Sequence, residues 1–271
     1  MPRPGRARVN RASGALVSTF MGKSMPVDPT AYRTRTYRRL IHGARLEAFE
    51  VVVKETDLRV SARQPLVAQT REAVLKYRGY LENYIEGHPG FVTTLAPWPL
   101  EGPAPAIVRA MILAGQQAGV GPMAAVAGAI AESVAREIMV FSDEVIVENG
   151  GDIFFNLKNK LTAAIFAGPS LLSMKIGLEV DGAGQSLALC TSSASVGHSL
   201  SFGGADAVCV LSHSGALADA AATAVGNRVG AGKDIGGAID FGRAIPGIEG
   251  IVVVCQGQVG AWGAFKIVPL G

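Results

Sequence analysis

Hydrophobic and polar positions alternate in two different rhythms along this chain. The segment RLEAFEVVVKETDLRVSA (45–62) alternates at period two on both sides of KETD, which predicts a two-stranded hairpin. Residues 66–87 then place Val67, Val74, Leu75, Leu81 and Ile85 at helical spacing, and HPG (88–90) ends that helix. The proline-rich TTLAPWPLEGPAP (93–105) reads as a surface loop. Helices are expected at about 106–118 and 122–140, the second with Pro122 in its first turn, where a missing N–H costs nothing. From residue 143 the rhythm shortens. DEVIVENGGDIFFNL, LTAAIFAG, SMKIGLEV, SLALCTS and DAVCVLS are strand candidates between Gly-, Asn- or Ser-rich turns. Helices at 215–229 and about 233–244 follow, and the strands GIVVVCQG and AWGAFKIV close the chain.

The order is strands, helices, strands, helices, strands. That is not the regular alternation of a parallel doubly wound sheet, so the expected class is α+β with antiparallel sheets backed by helix pairs. The repetition is consistent with an old duplication, with halves at about 31–140 and 141–271, although no repeated sequence accompanies it. The helix at 215–229 contains LADAAATAV (217–225), in which Asp219 and Thr223 stand four apart and so share one face. Two readings are open: a buried helix with two polar residues at its edge, or two oxygen ligands aimed at one ion.

Composition narrows the class. The chain has 271 residues, 49% hydrophobic and 17% charged, with a mean hydropathy of +0.30, which excludes a disordered or fibrous polymer. The longest weakly interrupted apolar run, VGPMAAVAGAIA, has 12 residues, short of the roughly 20 of a membrane span. The net charge of +3 comes from residues 1–45, with ten Lys/Arg against the single acid Asp28. The other 226 residues carry 15 bases and 21 acids. The body is therefore acidic and offers no basic stripe for nucleic acid. Residues 1–24 read as a basic leader outside the fold, the globular domain spanning 25–271 with Met25 as an alternative start. Cys190, Cys209 and Cys255 are too few and too far apart for a disulfide framework, which points to a reducing cytoplasm.

Several motifs fail on inspection. GNRVGAGKD (226–234) lacks the first P-loop glycine, with Asn227 in its place, and Asp234 stands where Ser or Thr must reach the metal. GHSLS (197–201) ends in Ser201 instead of the glycine of a nucleophile elbow, and the element order is wrong for that fold. The four histidines show no zinc-ligand spacing, and only His198 lies in a small-residue polar loop. VENGGDIF (147–154) is either a plain hairpin turn or a small anion cradle of successive N–H groups.

ENGGD (148–152), CTSS (190–193) and ADAAAT (218–223) together are similar, in kind and order, to the signatures of the ApbE superfamily. GPMAAVAGAIAE, VGHS and ADAAATA further resemble a distant ApbE-like branch of unassigned activity, over about residues 31–271. The resemblance implies a fold related to the T-fold. It also implies a magnesium-dependent enzyme that handles FAD, of the FAD:protein FMN transferase or FAD pyrophosphatase type. By the motif match, Asp219 and Thr223 hold Mg²⁺ with a backbone carbonyl at Ala124. Asn149, Gly150, Gly151, Asp152, Thr191, Ser192 and Ser193 contact the flavin nucleotide, and His198 and Asp219 are catalytic. The implied partners are a small-molecule nucleotide, an acceptor protein bearing Thr or Ser, and a second copy of the chain paired through sheet edges. Two departures stand out. The transferases' H-I-I-D-P stretch is reduced to His198, and their lysine-containing helix entry is replaced by GVGPMAAVAG. The alternative is a non-flavin enzyme or accessory protein on this scaffold, for example in sulfur assimilation and homocysteine formation, with Cys190 as a working thiol.

Overall fold

A computed structural model describes residues 8–9, 16–19, 46–193, 203–230 and 234–270. Its backbone is a ten-stranded sheet in which every neighbouring pair is antiparallel. The strands are β1 (Arg8–Val9), β2 (Leu16–Thr19), β3 (Glu47–Val53), β4 (Thr56–Ala62), β5 (Val145–Asn149), β6 (Asp152–Asn156), β9 (Ser186–Ser192), β10 (Ala207–Ser212), β11 (Ile248–Cys255) and β12 (Gln258–Gly263). They lie in the order β1-β2-β12-β11-β10-β9-β6-β5-β4-β3. A second sheet of three strands joins β7 (Lys160–Ala164), β8 (Ile176–Asp181) and β13 (Lys266–Pro269) in the order β13-β8-β7. The helices are α1 (Val67–Gly87), α2 (Gly90–Thr93), α3 (Ala106–Ala118), α4 (Val126–Ile138), α5 (Gly215–Gly226) and α6 (Ile235–Arg243), with a 3₁₀ turn at Pro122–Ala125 before α4.

Strand alternation builds the layers, because successive side chains leave opposite faces of a sheet. In β10, Val208 and Val210 join the core under the helices, while Ala207, Cys209 and Leu211 join the core under the small sheet. β6 divides in the same way, with Phe154 toward the helices and Ile153 and Phe155 toward the small sheet. The result is helices, large sheet and small sheet in three layers. Both faces of the central strands β5, β6, β9, β10 and β11 are covered, which is why they read as nearly unbroken apolar runs, whereas β3 and β4 keep alternate positions at least partly exposed.

The topology runs strand pair, helices, strand pair twice: β3–β4, α1 to α4, β5–β6, and then β9–β10, α5–α6, β11–β12. The hairpin β7–β8 is inserted between the two units. The first unit closes with β6 at Asn156 rather than at residue 140, because β5 pairs with β4 across the helical insertion. Three other boundaries differ from the sequence reading. The helix expected at 122–140 begins as a 3₁₀ turn. AWGAFKIV is two strands in two sheets, because the chain bends at Gly263 (φ 118°), where a Cβ would lie 2.2 Å from the carbonyl oxygen of Glu249. Within the segment expected to stay outside the fold, Leu16–Thr19 pairs with β12 from Gln258↔Thr19 to Ala261↔Leu16. β3 closes the opposite side of the sheet, paired with β4. Among the described residues, no single helix is long and apolar enough to cross a membrane.

Candidate nucleotide and metal site

α5 is the centre of the molecule: all twelve of its residues are buried. A helix apolar on every side belongs in a core, and its alanines let it pack closely against β9 and β10 on one side and α3 and α4 on the other. Its two polar side chains, Asp219 and Thr223, are therefore both buried. Asp219 Oδ2 accepts a hydrogen bond from the Gly128 N–H (3.0 Å), and the Ala127 N–H adds a second. These N–H groups belong to the first turn of α4, which has no side-chain cap of its own. The Asp219 carboxylate supplies that cap from another helix, where the helix dipole favours negative charge. Burial raises the Asp219 carboxyl well above the ordinary range, the charge of Asp152 raises it further, and the two N–H groups oppose the rise.

Ala124 is half-buried in the 3₁₀ turn, which packs on α5. The backbone groups bonded to Asp219 lie three and four residues later, at Ala127 and Gly128, and the sequence reading named neither. The signal was present as a glycine inside the apolar run GPMAAVAGAIAE.

Asn149, Gly150, Gly151 and Asp152 form the turn between β5 and β6. Asn149 and Asp152 are a paired position, and the two glycines between them have φ of 65° and 107°. That is the geometry of a two-residue hairpin loop of type I′, the type that needs positive φ at both central residues. The Gly151 N–H is engaged by Glu148 Oε1 at 2.7 Å, so this donor already holds a carboxylate of the chain. Asn149 Nδ2 donates to the Ala127 carbonyl (3.1 Å) and ties the turn to the start of α4. Asp152 Oδ1 accepts from the Thr191 N–H (2.9 Å) on β9. Burial pushes the Asp152 carboxyl up to about 7; the Thr191 bond opposes this and the Glu148 charge adds to it.

Alternation separates the predicted contacts by face. Cys190, Val147 and Phe154 belong to the core under the helices, so Asn149, Asp152 and Ser192 lie on that face with Asp219. Ser192 Oγ is buried and has no hydrogen-bond partner among the described residues. Thr191 lies on the opposite face, where its hydroxyl donates to Cys209 Sγ (3.3 Å) and borders a pocket. That pocket holds about 610 Å³ including the part open to solvent. Ile153, Leu189 and Cys209 wall it on the large sheet, and Ala163, Ala164, Ile165, Phe166 and Leu178 on the small one. Glu148, Gly150, Gly151, Thr191 and Ser193 surround its mouth. Ser193 Oγ donates to the Asp206 carbonyl at 2.6 Å. The Gly150–Gly151 turn is the rim where the two faces meet.

His198 lies outside the described residues. Cys190 is fully buried on the helix face, its thiol 3.6 Å from the Gly215 carbonyl. Burial and the charges of Asp152 and Asp219 push that thiol well up, the reverse of what a nucleophilic thiolate needs. Among the described residues, no three His, Cys, Asp or Glu side chains converge as a ready-made metal site. What converges under the helices is a buried acidic face made by Asp152 and Asp219, the charge of Asp152 acting on Asp219; Glu148, whose charge acts on Asp152, lies on the opposite face of the sheet, at the pocket. Asp219, Thr223 and nearby carbonyls are hard oxygen donors, and such a face suits a small divalent cation that completes its shell with water and phosphate.

The family model described as AbpE bacteria matches residues 38–261. The protein belongs to that family. A UPF0280 protein of Methanocaldococcus jannaschii is 41% identical over 220 residues, 79% of this chain and 89% of the relative. One from Methanosarcina acetivorans is 39% identical over 215 residues, 78% of this chain and 84% of the relative. Among solved structures, the apo flavinyl transferase ApbE of Pseudomonas stutzeri superposes with a TM-score of 0.52 at 16% identity, over 83% of this chain and 94% of its own. A mutant of the flavin transferase ApbE from Vibrio cholerae gives 0.50 at 13% identity, over 83% and 97%. This AbpE-family chain therefore has the ApbE fold, as the antiparallel α+β expectation required.

Proposed function

We propose that the protein is an enzyme acting on the diphosphate of a flavin nucleotide, of the FMN transferase or FAD pyrophosphatase type. One observation carries this reading: an apolar pocket and a buried acidic face meet at the side-chain-free Gly150–Gly151 rim. The pocket suits a planar ring, with the Thr191 and Ser193 hydroxyls at its mouth held by their bonds to Cys209 Sγ and the Asp206 carbonyl. The glycine rim lets a phosphate chain cross close to the backbone. Ser192 Oγ supplies a hydroxyl for a phosphate oxygen on the helix face. Asp219, Thr223 and the Ala124 carbonyl would hold Mg²⁺ there. When bound, the ion neutralises the diphosphate and the charge developing on the leaving group. His198 takes the catalytic role that the motif match gives it. In transfer, an acceptor hydroxyl oxygen bonds to the FMN phosphorus, the bridging P–O bond to AMP breaks, and the hydroxyl proton ends on the departing AMP phosphate or in solvent; in hydrolysis, water takes the acceptor's place. The structural neighbours named flavin transferases support this class. A cytoplasmic location, a threonine- or serine-bearing acceptor and pairing of two copies through β3 belong to the same proposal.

The test is thermal unfolding with FAD, FMN or ADP, each with and without Mg²⁺. A ligand at a hundred times its Kd stabilises the fold by about 2.7 kcal/mol. A shift with FAD that grows with Mg²⁺ is the expected result. No shift with any of the three would overturn the nucleotide reading, and equal shifts with and without the ion would overturn the metal assignment. The thiol alternative is disfavoured by the complete burial of Cys190.

A further inference from the structure

α4 and α5 carry the same pentapeptide pattern, GAIAE (128–132) and GALAD (215–219). The helices cross at the two glycines. A Cβ on Gly128 would lie 2.2 Å from the Gly215 carbonyl oxygen, and one on Gly215 would lie 2.4 Å from that of Gly128. At this crossing the helices exchange carboxylates. Asp219, four residues after Gly215, accepts from the Gly128 N–H at 3.0 Å. Glu132, four residues after Gly128, accepts from the Gly215 N–H at 2.7 Å and from Ser214 Oγ at 3.4 Å. Each helix thus has an N-terminal N–H held by an acid of the other, and α5 adds a cap of its own, Ser214 Oγ accepting from the Leu217 N–H at 3.3 Å. The pattern is not a trace of duplication, since α4 ends the first helical insertion and α5 begins the second.

We propose that Glu132 is a positioning residue for the Asp219 site. It touches no reacting group. By holding the Gly215 N–H and the Ser214 hydroxyl it fixes the first turn of α5, and so sets the direction in which Asp219 and Thr223 point one and two turns later. Arg136, bonded to the other carboxylate oxygen of Glu132 (2.9 Å), steadies it from the solvent side. The proposal rests on the reading of Asp219 and Thr223 as the metal-holding pair.

The test compares Glu132→Ala, Glu132→Gln and Glu132→Asp with the full chain. Two quantities are read: the ¹⁵N–¹H resonance of Gly128, whose amide reports the Asp219 bond without any ligand, and the Mg²⁺-dependent affinity for FAD. Glu132→Ala is expected to move the Gly128 resonance and weaken the Mg²⁺-dependent affinity about tenfold or more, as loss of an outer-sphere support does. Glu132→Gln keeps an acceptor for the Gly215 N–H and is expected to restore both. Glu132→Asp retracts the carboxylate by one methylene and is expected to shift the resonance even if the alanine variant does not fold. A Gly128 resonance unmoved in both the alanine and aspartate variants overturns the proposal. If the wild-type chain shows no Mg²⁺-dependent FAD binding, the functional reading fails, and the resonance comparison still decides the positioning role.

Discussion

Asp219 serves two demands that one substitution can separate. Asparagine keeps an oxygen for the Gly128 N–H and removes the charge; alanine removes both. Asp219→Ala is expected to destabilise the fold by about 1–3 kcal/mol through the orphaned N–H groups of α4. Asp219→Asn should unfold in denaturant no earlier than wild type without metal, yet lose the Mg²⁺-dependent part of the FAD shift. Asp152 gives a pH signature. Its carboxyl is raised to about 7 from an ordinary 3.8, so the folded chain holds a proton that the unfolded chain releases. The stabilisation is complete below pH 3.8 and is lost as pH rises toward 7. Urea midpoints of the metal-free protein should fall across that interval, and Asp152→Asn should flatten the fall.

Helix packing decides what a glycine is for. Gly128→Ala places a methyl 2.2 Å from a carbonyl oxygen at the α4–α5 crossing. Overpacking against backbone costs about 1–3 kcal/mol or more, and here it also draws Gly128 away from Asp219. A methyl added at Gly79, inside α1, would meet nothing within 4 Å, so Gly79→Ala should instead stabilise by about 0.5–1 kcal/mol. Chemical denaturation of the two variants, run side by side, checks both signs. The same elements show what one-dimensional pattern could reach. The strands β3 to β11 were legible because apolar runs end at Gly, Asn or Ser turns, and α5 because alanine favours helix. The break at Gly263 was not legible, since it follows from a close approach to Glu249 that only the folded sheet creates. Nor was the identity of the groups holding Asp219: the glycine of GPMAAVAGAIAE stands out in its apolar run, but which N–H groups meet Asp219 follows from how α4 crosses α5. The ENGGD, TSS and ADAAAT residues were nameable in advance, but their division between the two faces follows from strand alternation once β6 and β9 are paired.

At the scale of the molecule, the pocket between the two sheets and the acidic face under the helices are separated by one sheet thickness. Thr191 borders the pocket on the large sheet, points into it and is half-buried, so a larger side chain there can fill the mouth without entering the core. Thr191→Phe is expected to abolish the FAD-dependent shift in melting temperature while leaving the melting temperature of the ligand-free protein within a few degrees of wild type. Quenching of flavin fluorescence on titration gives the second measure. A dinucleotide that crosses the Gly150–Gly151 rim is held by two half-sites that share no side chain. Riboflavin and pyrophosphate should accordingly bind weakly and without displacing each other. Joined in one molecule, the second contact forms at the effective concentration set by the short bridge between them, millimolar in order of magnitude for short flexible links. The rim glycines thus act as a tether length built into the protein, and lengthening that turn by a single residue should cost affinity for the whole nucleotide while sparing affinity for either half.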